Sequence, residues 1–289
     1  LFNEFGYEKI IESIATADES VKTSIHAKSL ILPVNLNKNN IAAGTNYKAH
    51  AQETDITKTP FLFSKRVQPS SAYSQVPLTT PALDWEVELA FVPLKDITES
   101  VQPNYIGLIL SNDFSNRKIL MHNVDINNVE SGKGFVQGKS APGLLPVGNL
   151  FVIPKDYRSF SKSIQLRLNV NDQPKQQAFS QQMIWDIDEI LSEIWKAKYR
   201  KWEYKNKSIG LLDQPNIISS RTLILSGTPE GTAFQGVPLW TKLKGLTSWL
   251  ASGFTDTVQY HVVNAYLEEA KQEKRFLQNG DRVSIKANY

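Results

Sequence analysis

Three observations predict a mainly β chain of the α+β class. From Ile41 onward the apolar residues fall into short runs separated by Pro, Gly, Asn or Asp, the punctuation of strands and turns rather than of long helices. The segment Ile164 to Val170 alternates strictly, with Ile164, Leu166, Leu168 and Val170 on one face and Gln165, Arg167 and Asn169 on the other. Helical periodicity is confined to the N-terminus, to residues 183–199 and to a late stretch between Leu239 and Phe276.

In chain order, residues 4–16 carry apolar positions at helical spacing, and an apolar run from Leu30 to Val34 follows. Residues 1–40 are therefore expected to form a small N-terminal unit, and residues 41–289 the main domain. Its strands are expected at Ile41–Gly44, Phe61–Ser64, Asp84–Val92, Ile106–Ser111, Leu150–Ile153 and Ile164–Val170, the last closed by the turn pair Asn171-Asp172. Residues 183–199 predict an amphipathic helix with Ile184, Ile187, Leu191, Ile194 and Trp195 as its apolar stripe. Thr222–Ser226 reads as a buried strand ending in the turn Gly227-Thr228-Pro229-Glu230-Gly231. Two helical stretches then precede Gly280-Asp281 and a last strand, Arg282–Lys286.

With 289 residues and 41% hydrophobic content, the chain can bury a large core, so disorder is not the default. The net charge of +3 comes with dispersed bases, which argues against a nucleic-acid partner. The one basic-aromatic run, residues 196–207 (KAKYRKWEYKNK), reads as a solvated helix end and loop. Cys is absent, which excludes disulfides, thiolate nucleophiles and cysteine-ligated zinc. No apolar run is long enough to cross a bilayer, so no membrane partner is expected. Cytoplasmic location is the default expectation, although the chain begins at Leu1 rather than Met and a removed leader stays open.

The stretch Asp84-Trp85-Glu86-Val87-Glu88-Leu89-Ala90-Phe91 is the most informative for chemistry. In a strand, residues i and i+2 face the same way, so Glu86 and Glu88 project in parallel about 7 Å apart at their Cα atoms. Two carboxylates so close repel unless a cation lies between them, the bland alternative being a solvated acidic face. Asp113, after the strand Ile106–Leu110, is a turn or cap residue on its own and a third oxygen ligand in that company. His50 and Glu53 stand three residues apart, which on a helical turn puts imidazole and carboxylate on one side, as a general base oriented by an acid requires. Lys139, in Gly138-Lys139-Ser140-Ala141-Pro142, is a candidate oxyanion holder.

With the segments GTNYKAHAQE, PFLFSK, DWEVELAFV, SNDFSNR, QGKS, LPVGNLFV, NDQPKQQAFSQQM, LSGTPEG and NGDRV in that order, the chain resembles the fumarylacetoacetate hydrolase family from about Ile41 to its last strand. The resemblance implies a β-roll or barrel-like sandwich with a few helices, and a homodimer. It implies Glu86, Glu88 and Asp113 as ligands of Mg²⁺, with Mn²⁺ or Ca²⁺ as substitutes, and Lys139 as the active-site lysine. His50 and Glu53 match a water-activating pair carried on a lid segment in part of the family. Thr228 matches a substrate-contacting residue, and Arg117 and Lys65 fall on characteristic positions near the substrate.

The departures are Leu120, Lys118 and Ala141-Pro142, together with insertions between Tyr199 and Thr222 and, larger, at about 232–279. The implied activity is metal-dependent cleavage of a carbon–carbon bond in an acylpyruvate-like β-diketo acid. Isomerisation or decarboxylation of a 2-oxo or 2-hydroxy-diene dicarboxylate is the alternative, and a catalytically silent binding relative is a third. The apolar stripe Trp240, Leu243, Leu246, Trp249, Leu250 and Phe254 in the larger insertion is expected to be buried on the barrel or at a dimer contact, with at least one wall near the site.

Overall fold

The computed structural model describes residues 9, 11–13, 15–16, 24–54 and 59–289. The helix expected over 4–16 lies mostly outside the described residues. From Asn39 the strands are β1 (Asn39–Gly44), β2 (Phe61–Arg66), β3 (Ser70–Ser71), β4 (Leu83–Asp84), β5 (Val87–Pro93), β6 (Ile106–Asn112), β7 (Ser115–Asn116), β8 (Pro146–Val147), β9 (Gln165–Val170), β10 (Gln173–Phe179), β11 (Lys201–Tyr204), β12 (Lys207–Gly210), β13 (Ile224–Leu225) and β14 (Val283–Asn288). The helices are α1 (Lys48–Thr54), α2 (Arg117–Asn123), α3 (Phe135–Lys139), α4 (Tyr157–Lys162), α5 (Ile187–Lys196), α6 (Leu239–Ala251) and α7 (Val258–Gln272).

A seven-stranded mixed sheet in the order β2-β1-β13-β5-β6-β8-β3 forms the body. Its central strand β5 is buried along its whole length, as a run of Val, Leu, Ala and Phe covered on both faces requires. A second sheet, β10-β9-β14, packs its Leu166, Leu168 and Val170 face into the same core. Helix α5 adds Ile187, Ile190, Leu191 and Ile194 to it. The expected mainly β, α+β architecture is what the chain adopts.

Local chemistry sets where elements begin and end. Helix α5 starts at Ile187, not 183, because Asp186 caps it in a reciprocal box with Glu189. Ile184 and Trp185, ahead of the cap, form a bend bound to Asn46, whose side chain pairs with both the N–H and the carbonyl of Trp185, and Ile184 is exposed. Leu150–Ile153 contributes only an isolated bridge, Leu108 to Val152. The basic run 196–207 ends the helix and then forms half of a hairpin, β11 with β12, turning through Lys205 and Asn206 at φ of 50° and 59°.

The expected strand Asp84–Val92 is broken. Asp84 ends β4, paired with β7, and the chain re-enters the sheet at Val87. The Glu86 N–H in the gap is taken by the Asn112 side chain and the Val87 N–H by Gln176, so the break leaves no orphan donor at either residue.

Candidate metal centre

Glu88 comes from β5, opposite Ser111 on β6, and Glu86 from the gap just before it. Asp113 follows β6 and donates its N–H to the Glu86 carbonyl at 2.9 Å, which fixes the two backbones together. As a result Glu86, Glu88 and Asp113 are all buried, and each offers an oxygen within 4.8 Å of the others. The i, i+2 pair and the distant aspartate thus converge as expected.

Lys139 closes one side. Its Nζ donates to Glu86 Oε2 at 2.6 Å and to Asp113 Oδ2 at 2.7 Å. It arrives there because α3 approaches α2 closely: a Cβ on Gly138 would lie 2.6 Å from Leu120 Cβ, so glycine alone permits the contact. Leu120 is therefore a packing partner of the Lys139 segment. Lys65, on β2 and fully buried, donates to Asp113 Oδ1 and to the Leu144 carbonyl at 3.0 Å. Arg117, at the start of α2, bridges Asp84 Oδ2 at 2.8 Å and Glu86 Oε1 at 2.7 Å, and Ser115 donates to the same Glu86 oxygen at 2.9 Å.

The charges divide unevenly. Four buried carboxylates, Asp84, Glu86, Glu88 and Asp113, meet three buried cations, Lys65, Arg117 and Lys139. Burial works against the charge on Glu86, but Lys139, Arg117 and His50 outweigh it and hold that carboxyl down at about 2. Burial likewise opposes charge on Lys139, and Asp113 with Glu86 more than offsets it, so the ammonium is favoured. For Lys65 burial wins and lowers its pKa despite Asp113. Glu88 is the unbalanced member. Burial, then Asp113 and Glu86, push its carboxyl well above the ordinary range, against Lys139 and the Gly227 N–H. Among the described residues its one hydrogen-bond donor is that N–H, at 2.7 Å.

An all-oxygen set carrying one uncompensated carboxylate fits a hard divalent cation. The Gly227 contact also explains the Gly-Thr-Pro turn: Gly227 has φ 95°, and a Cβ there would meet Asn46 Cβ at 2.8 Å. Thr228 Oγ1 donates to the Val87 carbonyl at 3.0 Å and accepts from Gln176 Nε2 at 2.9 Å, so the turn is fastened onto β5 beside the carboxylates.

His50 and Glu53 ride on α1, with Nδ1 3.3 Å from Glu53 Oε2. Glu53 also accepts the Gly231 N–H at 3.1 Å through both oxygens, which clips α1 to the far end of the same turn. His50 is buried and lies near enough to favour the charged form of Glu86. All nine sequence-predicted residues are thus drawn into one region, although Thr228 and Arg117 spend their polar atoms on protein partners.

Sequence reasoning missed Asp84, Gln176, Asn46 and Ser115. Asp84 stood in the quoted DWEVELAFV segment, and it is the residue that accepts Arg117 together with the Ala233 and Phe234 N–H groups. Gln176 and Asn46 stood in quoted segments too, but nothing in an Asn or Gln announces which backbone groups it will satisfy.

The family model for the fumarylacetoacetate hydrolase C-terminal region matches residues 39–288. The chain belongs to the fumarylacetoacetate hydrolase family. It is 27% identical over 203 residues to a mitochondrial oxaloacetate tautomerase, FAHD2, of Arabidopsis thaliana, covering 66% of this chain and 78% of that protein. It is 26% identical over 225 residues to the fahd2 oxaloacetate tautomerase of Xenopus laevis, covering 74% of this chain and 62% of that protein's length. A crystal structure of a putative HpcE protein from Mycobacterium smegmatis shares the fold with a TM-score of 0.64 at 18% identity, over 97% of this chain and 81% of that one. Among the described residues no helix is long and apolar enough to cross a membrane.

The larger insertion only partly meets expectation. Phe234, at its start, lies over Arg117 with the guanidinium 5.3 Å from its ring centroid. Tyr266 and Phe276 pack behind Phe234 in a second core with Ala82, Met121, Val263 and Ala270. The stripe on α6 is not in that core. Trp240, Leu243, Leu246, Leu250 and Phe254 are exposed and Trp249 is half-buried, because α6 packs through Thr241 and Gly245 onto α7 rather than through its leucines.

Proposed function

We propose that this chain is a divalent-metal-dependent enzyme of small 2-oxo acids whose common step is formation and holding of an enolate. Glu86, Glu88 and Asp113 would hold Mg²⁺ or Mn²⁺, and the ion when bound supplies Lewis acidity toward the 2-oxo acid oxygens. The observation that carries the reading is the convergence of those three buried carboxylates, one of them without a cationic partner, beside the Lys139 ammonium.

The chain's own groups then divide the work. With Nδ1 turned to Glu53, His50 leaves Nε2 to act as base. In keto–enol interconversion it takes the proton from the carbon next to the 2-oxo group, and Lys139 stabilises the developing oxyanion. That reading, a tautomerase or isomerase of an oxaloacetate-like 2-oxo dicarboxylate, is supported by what the two tautomerase relatives are named for. Hydrolysis of an acylpyruvate is the second reading, favoured by the oriented His50–Glu53 pair: the same nitrogen would take a proton from water adding to the distal ketone, with pyruvate enolate leaving toward Lys139. Decarboxylation shares the enolate and needs no water.

The test follows enol absorbance of oxaloacetate, loss of acetylpyruvate and release of CO₂, each with and without EDTA. One of the three rates is expected to be enzyme-dependent and to collapse with EDTA and in Glu86→Ala. Turnover that ignores both treatments refutes the metal-dependent reading, and the absence of all three with no binding of Mn²⁺ leaves a catalytically silent relative.

A further inference from the structure

Helix α6 is held to the protein by one side only. Thr241 Oγ1 donates to Glu269 of α7 at 2.6 Å, Lys244 pairs with the same carboxylate at 3.2 Å, Ser248 bonds His261 at 3.0 Å, and Gly245 sits against Val262. At about 100° per residue, Leu239, Leu243, Leu246 and Leu250 line up roughly 160° around the helix from that contact. They point away from the body. Leu239 is 73% exposed and Trp240 74%, and Phe254, whose ring packs edge-on against Trp249 at 4.8 Å, is 62% exposed. Leu243, Leu246 and Leu250 stay 46%, 38% and 50% exposed among the described residues.

We propose that α6 is a dimerisation helix, and that its occupant is α6 of a second copy in antiparallel, two-fold pairing. The exposed apolar surface of these six residues is roughly 600 Å² by the usual side-chain areas, about three quarters of the ~800 Å² per partner of a standard stable interface and at the upper end of what a monomer ordinarily leaves as one patch.

The spacing of the leucines, four then three then four, is that of a helix–helix seam. It is also self-complementary. About a two-fold axis between Leu243 and Leu246, Leu239 of one copy meets Leu250 of the other, and Leu243 meets Leu246, as an isologous interface demands. Charge selects the direction. Among its residues α6 has lysines and no acid. A parallel pair would set Lys242 against its own copy, whereas the antiparallel pair sets it beside Thr247. Phe254 of one copy then points toward the end that carries Trp240 in the other.

Sedimentation velocity of the full chain across the micromolar range tests this with two variants, Leu243→Glu and Leu246→Lys. Each variant alone is expected to show half the assembly mass of the wild type. Mixed in equal amounts they are expected to recover the wild-type mass, since the carboxylate introduced at position 243 of one copy then faces the ammonium introduced at position 246 of the other; recovery also shows that both variants fold. Either variant keeping the wild-type mass overturns the proposal, as does failure of the mixture to recover it. A wild type of single-copy mass that floats with phosphatidylglycerol vesicles overturns it in favour of a lipid surface.

Discussion

Glu86 and Leu243 each make a demand on their surroundings, and the chain meets only one of them itself. A buried carboxylate needs counter-charge or donors, and Glu86 has Lys139, Arg117 and Ser115 around it. A leucine needs apolar cover, and Leu243 is left 46% exposed. The two regions are joined: Asp84 holds Arg117 with one oxygen and the first N–H groups of the insertion with both, and α7 packs on α2, the helix that begins at Arg117. The root of the insertion therefore belongs to the site's framework, while its outer helix leaves its leucines exposed.

Breaking the polar region should have the largest effect. Lys139→Met leaves Glu86 and Asp113 facing one another without the ammonium between them, so activity should fall by about 10²–10³-fold and the metal-free fold lose about 3–5 kcal/mol. Steady-state rates and urea denaturation report both, and a variant with wild-type stability would show that Lys65 and Arg117 neutralise the cluster by themselves.

The insertion should divide internally. Phe234→Ala opens a cavity between Arg117 and Tyr266 and should cost about 3 kcal/mol or more. Leu243→Ala, made in protein diluted below any association, should stay within about 0.5 kcal/mol. Equal losses at the two positions would mean that α6 is covered within one chain.

A smaller effect sharpens the electrostatic side. A carboxyl raised above its unfolded value favours the folded state in acid, and that contribution is lost as pH climbs from the ordinary carboxylate range to the raised pKa. Glu88 is such a group. Glu88→Gln should therefore raise the Tm of the metal-free protein at neutral pH by a few degrees, with the advantage fading in acid, and should lose the Tm rise that Mn²⁺ gives the wild type. A lower Tm at neutral pH would mean that the Glu88 charge is compensated after all.

What was legible in the sequence follows the same division. Strand alternation placed Glu88 and the motif order placed Asp113 and Lys139, because polar residues in buried segments have few ways to be satisfied. The bridging of Asp84 and Glu86 by Arg117 was not legible, since the strand breaks at Trp85 and Asn112 and Gln176 supply the missing acceptors from distant segments. The α6 stripe announced that a face needs burying and carried no information on the partner: the buried positions turned out to be Thr241 and Gly245, whose small size lets α7 approach.

The central proposal is that Glu86, Glu88 and Asp113 would hold a divalent metal, with Glu88, whose carboxyl burial pushes upward, the ligand least ready to ionise. A calorimetric titration of Mn²⁺ into the purified protein at several pH values tests it most directly. One ion per chain is expected, with protons released on binding, affinity that rises with pH until Glu88 has lost its proton, and no binding in Glu86→Ala. Affinity independent of pH, or unchanged in Glu86→Ala, would contradict it.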